Sequence, residues 1–111
     1  PESYTRRYTL SLHDSLPIST TNSGFFTSVK ECGDVMGIFV GHDHDNDYAV
    51  AYKEVLLAYG RYTGGKTVYN DLSSNGARVI VLHEGERRFD TYIRVANNEM
   101  ESFVTFPNSF Y

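Results

Sequence analysis

Apolar side chains recur at helical spacing in one short segment, which predicts a helix over residues 23–32. The side chains of this stripe are Phe25, Phe26, Val29 and Cys32. Asn22 and Ser23 precede it and are good N-cap residues, while Gly33 follows at the position where helices commonly end in a left-handed residue. The segment therefore has both a start signal and a stop signal.

Short apolar runs separated by polar turns predict strands in the rest of the chain. The predicted strands are 35–40, 48–53, 55–61, 77–82 and 89–95. Residues 35–40 are apolar without interruption, which fits a strand buried on both faces. Residues 89–95 alternate apolar and polar side chains, which fits a half-buried strand. Strands 48–53 and 55–61 are close enough to form a hairpin with a tight turn near Lys53 and Glu54.

The two ends of the chain differ from its middle. Residues 1–19 show neither a helical nor a strand-like period of apolar side chains for more than a few positions. Within them, the segment RRYTLSLHDSLPI resembles the translation of a sequencing-library adapter. Residues 1–19 are therefore predicted to be a non-native extension. His13 and Asp14 then belong to no site. Residues 20–100 are predicted to form the folded portion, and residues 101–111 a tail with no assigned element. Residues 62–76 are rich in Gly, Asn and Ser and predict a long loop.

Composition narrows the class of protein. The chain has 111 residues, with 10 Lys and Arg against 14 Asp and Glu, for a net charge of -4. No basic excess is available for phosphates, so nucleic-acid binding is not expected. No apolar run approaches the ~20 residues of a membrane span. A single cysteine excludes an internal disulfide. The true amino terminus is expected to be missing, which leaves the compartment open, periplasmic and secreted locations included.

The candidate chemistry lies directly after the strand 35–40, in Gly41-His42-Asp43-His44. Two histidines separated by one residue point to the same side of an extended backbone, so both imidazoles can face one metal site. Neutral imidazole suits zinc and iron. A solvated polar loop is the competing interpretation. His83 lies in a charged turn, 83–88, and is predicted to be an exposed histidine.

A calcium-binding loop is a weaker alternative for the same stretch. Asp43, Asp45 and Asp47 occupy the first, third and fifth positions of an EF-hand pattern, and Glu54 the twelfth. The sixth position requires Gly and holds Tyr48, and the flanking segments are predicted strands. The calcium interpretation is therefore strongly disfavoured.

The order of these segments resembles a known family. VMGIFVGHDHDNDY, then VLLAYGR, GARVIVL and FDTYIR, are similar to the carboxyl-terminal end of calcineurin-like metallophosphoesterases. The nearest resemblance is to the purple-acid-phosphatase-like branch found in bacteria and plants, and it covers about residues 21–95. It implies an α/β (α+β) fold: part of a four-layer αββα sandwich, supplied here as carboxyl-terminal strands and one helix.

The resemblance also implies a site. His42 would bind the second and His44 the first of two metal ions, which are Fe, Zn or Mn in the family, and Asp43 falls at a variable position. Asp47 could orient an imidazole from the second shell or cap the loop. Arg61 could face the substrate phosphate from the rim, although a solvated rim arginine is the favoured interpretation.

The departures from the family pattern predict that this chain is inactive. An Asp-x-His block, a Gly-Asp block, an Asn-His block and a further His supply the remaining ligands in the family, all upstream of the segment that corresponds to the predicted helix. No such block precedes residue 23 here, and His13 and Asp14 fit none of them. The resemblance implies a metal-dependent hydrolase of phosphate esters; for this chain the metal site is expected to be incomplete, and no catalytic residue is predicted. The alternative is a non-enzymatic small β-rich binding module. Poor solubility is also expected, because an apolar strand would lack a neighbour.

Overall fold

The computed structural model describes the backbone of residues 3–4 and, in full, residues 23–44, 47–64 and 75–111. Within these residues the chain forms one helix and seven strands. The elements are β1 (Ser3–Tyr4), α1 (Phe25–Cys32), β2 (Gly37–Val40), β3 (Ala49–Tyr52), β4 (Val55–Tyr59), β5 (Gly76–Leu82), β6 (Phe89–Val95) and β7 (Met100–Phe106). The strands divide between two sheets, in the orders β1-β3-β4-β2 and β5-β6-β7.

The first sheet is built around the β3–β4 hairpin, which confirms the sequence prediction. The two strands pair antiparallel from Ala49 opposite Ala58 to Tyr52 opposite Val55. The connecting residues Lys53 and Glu54 have φ values of 47° and 65°. Two consecutive left-handed residues make the kind of two-residue turn whose twist matches that of the flanking strands.

Strand β2 lies at an edge of this sheet, and the prediction that it is buried on both faces is wrong. It pairs in parallel with β4, and Val40 at its end is 45% exposed. No described strand pairs with its other edge. An unbroken apolar run is typical of an interior strand, whereas β2 is an edge strand among the described strands.

Helix α1 begins and ends at glycines. Gly24 is the N-cap residue with a φ of 76° and provides no side-chain cap, so the capping predicted for Ser23 is wrong. Gly33 ends the helix as predicted, with a φ of 75° and its N–H donating to the Val29 carbonyl. Positive φ values of this kind are adopted by glycine at little cost.

The second sheet is an antiparallel meander. Strand β6 buries Phe89, Thr91, Ile93 and Val95 in alternation, which confirms the predicted half-buried strand. The turn from His83 to Arg88 is confirmed as well. Strand β7 was not predicted, because its polar start hides the period of two; Val104 and Phe106 face the core from it, at 4% exposure each.

The core lies between the two sheets. Its buried members come from β3, β4, β6, β7 and the carboxyl-terminal turn: Ala49, Leu56, Ala58, Phe89, Val104, Phe106 and Phe110. The rings of Phe39 and Phe89 meet edge to face at 5.8 Å across this interface. Full burial of an aliphatic side chain such as Leu56, which is 0% exposed, contributes about 1.5–3 kcal/mol.

The helix covers the outer face of the first sheet. Phe26 packs against Tyr52 at 5.4 Å between ring centroids, whereas the adjacent Ala51 packs against the core. Because neighbouring residues of a strand point to opposite faces, the layer order is helix, sheet, sheet. The predicted mixed α/β class with strands predominating is confirmed. The divisions at residues 19 and 100 remain predictions, and the interior of the predicted loop 62–76 lies outside the described residues.

Candidate metal-binding loop

The loop that carries both predicted ligands leaves the carboxyl end of β2. Strand β4 ends beside it, since Val40 is paired in parallel with Tyr59, and the Gly60 N–H donates to the Val40 carbonyl at 2.9 Å. Residues 41–44 and 60–62 therefore leave the same end of the sheet side by side. This parallel register is the reason that side chains from the two segments meet.

The two histidines have different surroundings. His42 is exposed, whereas His44 is half-buried, and its Nδ1 atom is fully buried. The imidazole of His44 stacks on the Tyr62 ring, with 5.9 Å between centroids and 11° between planes. Tyr62 belongs to the segment after β4, so the stack is a direct product of the parallel register. The sequence pattern did not single out Tyr62.

Asp43 lies near two phenols at the same end of the sheet. The rings of Tyr48 and Tyr59 are 5.1 Å apart. Burial raises the pKa of Tyr48 above its ordinary value, and the neighbouring Tyr59 and Asp43 raise it further. Burial also raises the pKa of Tyr59, again with a contribution from Asp43. Both phenols therefore keep their protons at neutral pH and remain hydrogen-bond donors.

Asp47 and Arg61 form a buried ion pair next to this loop. They are 2% and 4% exposed, and Arg61 Nε donates to Asp47 Oδ2 at 2.5 Å. Arg61 Nη2 also pairs with Asp47 Oδ2 and donates to Glu101 Oε2 of β7 at 3.1 Å. The expectation of a solvated rim arginine is therefore wrong, because two carboxylates hold the guanidinium inside the protein. Whether Asp47 or Arg61 acts on a metal ligand or a substrate stays a prediction.

Arg78 joins the two sheets close to the same place. Its Nε donates to the Tyr59 carbonyl at 3.0 Å, and its Nη1 donates to Thr91 Oγ1 at 3.2 Å. Arg78 is the one charged residue in the apolar run 77–82, and its pairing opposite Ile93 puts it on the inner face. A charged residue at an inward position of a strand is a sequence signal that could have identified Arg78 as a buried, hydrogen-bonded residue.

His83 is not a freely exposed histidine, so that prediction is wrong. Its Nε2 lies 2.8 Å from Asp90 Oδ2, and the side chains are 27% and 16% exposed. Asp90 also accepts a hydrogen bond from Thr105 Oγ1 at 2.6 Å. The hydrogen bonds from Thr105 and His83 lower the pKa of Asp90 below its ordinary value. His83 therefore helps to join the three strands of the second sheet.

The described residues do not by themselves fit a dinuclear metal centre. Among residues 23–44, 47–64 and 75–111, no three His, Cys, Asp or Glu side chains lie close enough together to hold a metal ion. Two imidazoles fall short of the three or four protein ligands that a single zinc ion takes, and two ions need more. His42 and His44 could provide only a part of such a site.

Part of the chain is similar to curated proteins named as purple acid phosphatases. An Arabidopsis thaliana protein named "Probable inactive purple acid phosphatase 29" is 40% identical over 70 residues, which are 63% of this chain and 18% of the relative. A second Arabidopsis protein, "Probable inactive purple acid phosphatase 14", is 46% identical over 43 residues, which are 39% of this chain and 11% of the relative. Part of the chain is homologous to purple-acid-phosphatase-like metallophosphoesterases.

The chain spans only a small part of the length of these two relatives. The 18% and 11% shares agree with the expectation that the chain corresponds to a fragment of a larger protein. A methylglyoxal synthase of Lysinibacillus sphaericus is also similar, at 32% identity over 73 residues, 60% of this chain and 54% of that protein. No family model matches the chain, and no solved structure matches it. Within its described part, no helix is long and apolar enough to cross a membrane.

Proposed function

We propose that this chain is the carboxyl-terminal portion of a dinuclear-metal phosphoesterase that hydrolyses phosphate esters. His42 and His44 would each bind one of two metal ions, of Fe, Zn or Mn type. The similarity to two purple acid phosphatase relatives supports the family. The observation that carries the proposal is the place of the His-Asp-His loop, at the carboxyl end of a strand that is paired in parallel. Ligand sites of α/β sheets form at such ends.

We further propose that the chain alone does not turn over a phosphate ester. Two metal ions that activate a water for in-line attack must be fixed by a full set of ligands. The sequence holds four histidines. Besides the pair in the loop, His83 lies against Asp90 in the second sheet, and His13 lies outside the described residues. Both purple acid phosphatase relatives carry the word inactive in their names.

The alternative function is that of a non-enzymatic, β-rich binding module. One observation favours it: the two sheets enclose a core of their own, in which Leu56, Thr91 and Ile93 are 0% exposed. The two candidates predict different behaviour toward metals. A module in which the loop is incidental has no reason to bind metal through His42 and His44.

The test is elemental analysis of the purified chain after dialysis, together with an assay on p-nitrophenyl phosphate. We expect weak, sub-stoichiometric binding of divalent metal and no turnover. His42→Ala should abolish the residual binding, whereas the control variant His83→Ala should retain it. Two tightly bound metal ions, or a phosphatase activity that His42→Ala removes, would contradict the proposed inactivity. Residual metal unaffected by His42→Ala would contradict the assignment of the site.

A further inference from the structure

The segment after β4 touches the His-Asp-His loop at two neighbouring positions. Tyr62 stacks on the His44 imidazole at 5.9 Å. Arg61, the residue before it, donates to Asp47 three residues beyond His44. One short segment therefore contacts the loop at His44 and again at Asp47.

Arg61 and Tyr62 are in turn tied to the second sheet. Arg61 Nη2 donates to Glu101 Oε2 of β7 at 3.1 Å, and the Gly76 N–H at the start of β5 donates to the Tyr62 carbonyl at 3.2 Å. The side chains of Asp47 and Arg61 are 0% exposed and that of Glu101 is 23% exposed. A guanidinium held by two carboxylates in this way has little freedom to turn, because its planar fork matches their geometry.

We infer that Asp47, Arg61 and Glu101, here called the clamp, form a positioning device for the His44 imidazole. The clamp fixes the backbone at residue 61, and this sets the ring of Tyr62 against which His44 stacks. The inference rests on the proposed function in one respect, that His44 is a metal ligand. Groups that orient a ligating imidazole tune its affinity for the metal even though they never touch the ion.

The alternative is a purely structural role, in which the clamp only joins the two sheets. Both roles would lower stability when the clamp is broken, so stability alone does not separate them. The position of the His44 ring distinguishes the two roles, because a nearly parallel aromatic ring at 5.9 Å shifts the NMR resonances of the imidazole protons. This readout needs no metal.

The experiment compares Glu101→Gln and Arg61→Met with the matched control Glu99→Gln, an exposed carboxylate two residues from the clamp. The chain is labelled at histidine and studied in dilute solution, and Tyr62→Leu defines the His44 resonances without the stack. We expect both clamp variants to move the His44 shifts toward those of Tyr62→Leu, and the control to leave them unchanged. In a zinc titration followed at the same ring, Glu101→Gln should weaken binding about tenfold.

A folded Glu101→Gln variant with unchanged His44 shifts would overturn the inference. If Arg61→Met fails to fold, Glu101→Gln still tests the inference, because this variant keeps the Asp47–Arg61 ion pair. The two proposals fail separately. An absent response of the wild-type His44 ring to zinc would refute the proposed function, while the metal-free shifts would still decide whether the clamp positions the ring.

Discussion

Asp90 holds together the three strands of the second sheet through its side chain. It accepts hydrogen bonds from Thr105 of β7 at 2.6 Å and lies 2.8 Å from His83, which directly follows β5. These two contacts hold the pKa of Asp90 below its ordinary value of 3.8. The carboxylate is therefore favoured in the folded state, and its contribution to stability depends on pH.

Replacing Asp90 with Asn should lower the free energy of unfolding at neutral pH. Because the folded-state pKa is depressed, the contribution of the carboxylate is fully present above 3.8 and is lost as the pH falls through the folded-state value. Urea unfolding of wild type and Asp90→Asn across a pH series should show curves that converge in acid. The control variant, Asp34→Asn, changes an exposed carboxylate. Its free energy of unfolding should follow the same pH dependence as that of wild type. If the difference in unfolding free energy between wild type and Asp90→Asn persisted unchanged at the lowest pH, the stabilising role of the Asp90 carboxylate would be contradicted.

Single residues also show where sequence reasoning stops. The spacing of His42 and His44 and the strand before them were sufficient to locate the candidate loop. The burial of Arg61 could not be foreseen, since its partners Asp47 and Glu101 lie 14 and 40 positions away. Glu101 itself carried no local signal, because it lies in a segment that the sequence pattern left as a tail.

At the scale of elements, β2 is the strand whose surroundings differ most from what its sequence favours. Its apolar run is typical of an interior strand, yet it pairs only with β4 among the described strands. Val40 is 45% exposed. An apolar edge of this kind is a template for pairing with another chain.

Val40→Lys should therefore raise the soluble, monomeric fraction of the chain. The substitution places a charge on the open edge, and its effect on the free energy of unfolding should stay within about 0.5 kcal/mol because the site is exposed. The control is Phe25→Lys, which removes a 63% exposed apolar side chain from the helix and leaves the edge unchanged. Light scattering measures the monomeric fraction of both variants and of wild type. An equal gain from the two variants would show that the edge has no special role, and a monomeric wild type with a sharp two-state melt would contradict the expected poor solubility.

The elements that the sequence predicted correctly are those with a strong local signal. The hairpin, β5 and β6 have a clear period or a clear turn, and the alternation in β6 even shows which side chains face the core. Strand β7 was missed because Ser102 falls at an inward position, Phe103 at an outward one, and a register shift interrupts the pairing with β6. Its membership in the sheet depends on pairing with β6, which no local pattern reveals.

At the scale of the whole molecule, the described residues form a helix and two facing sheets with a loop of two histidines at one end. The parallel pairing of β2 with β4 brings that loop beside residues 60–62, and the clamp joins the same region to the second sheet. The relatives named as purple acid phosphatases extend well beyond the matched segment, which is 18% and 11% of their length. Under the proposed function, further metal ligands would come from parts of such a protein outside the matched segment.

The most direct test is the genomic DNA sequence upstream of the codon for Thr20, recovered from the source organism. We predict one continuous reading frame that joins Thr20 to an Asp-x-His block, a Gly-Asp block and an Asn-His block. Such a frame would place the remaining ligand blocks of the family in the same chain as His42 and His44. A stop codon immediately upstream, or a reading frame without any of these blocks, would contradict the account.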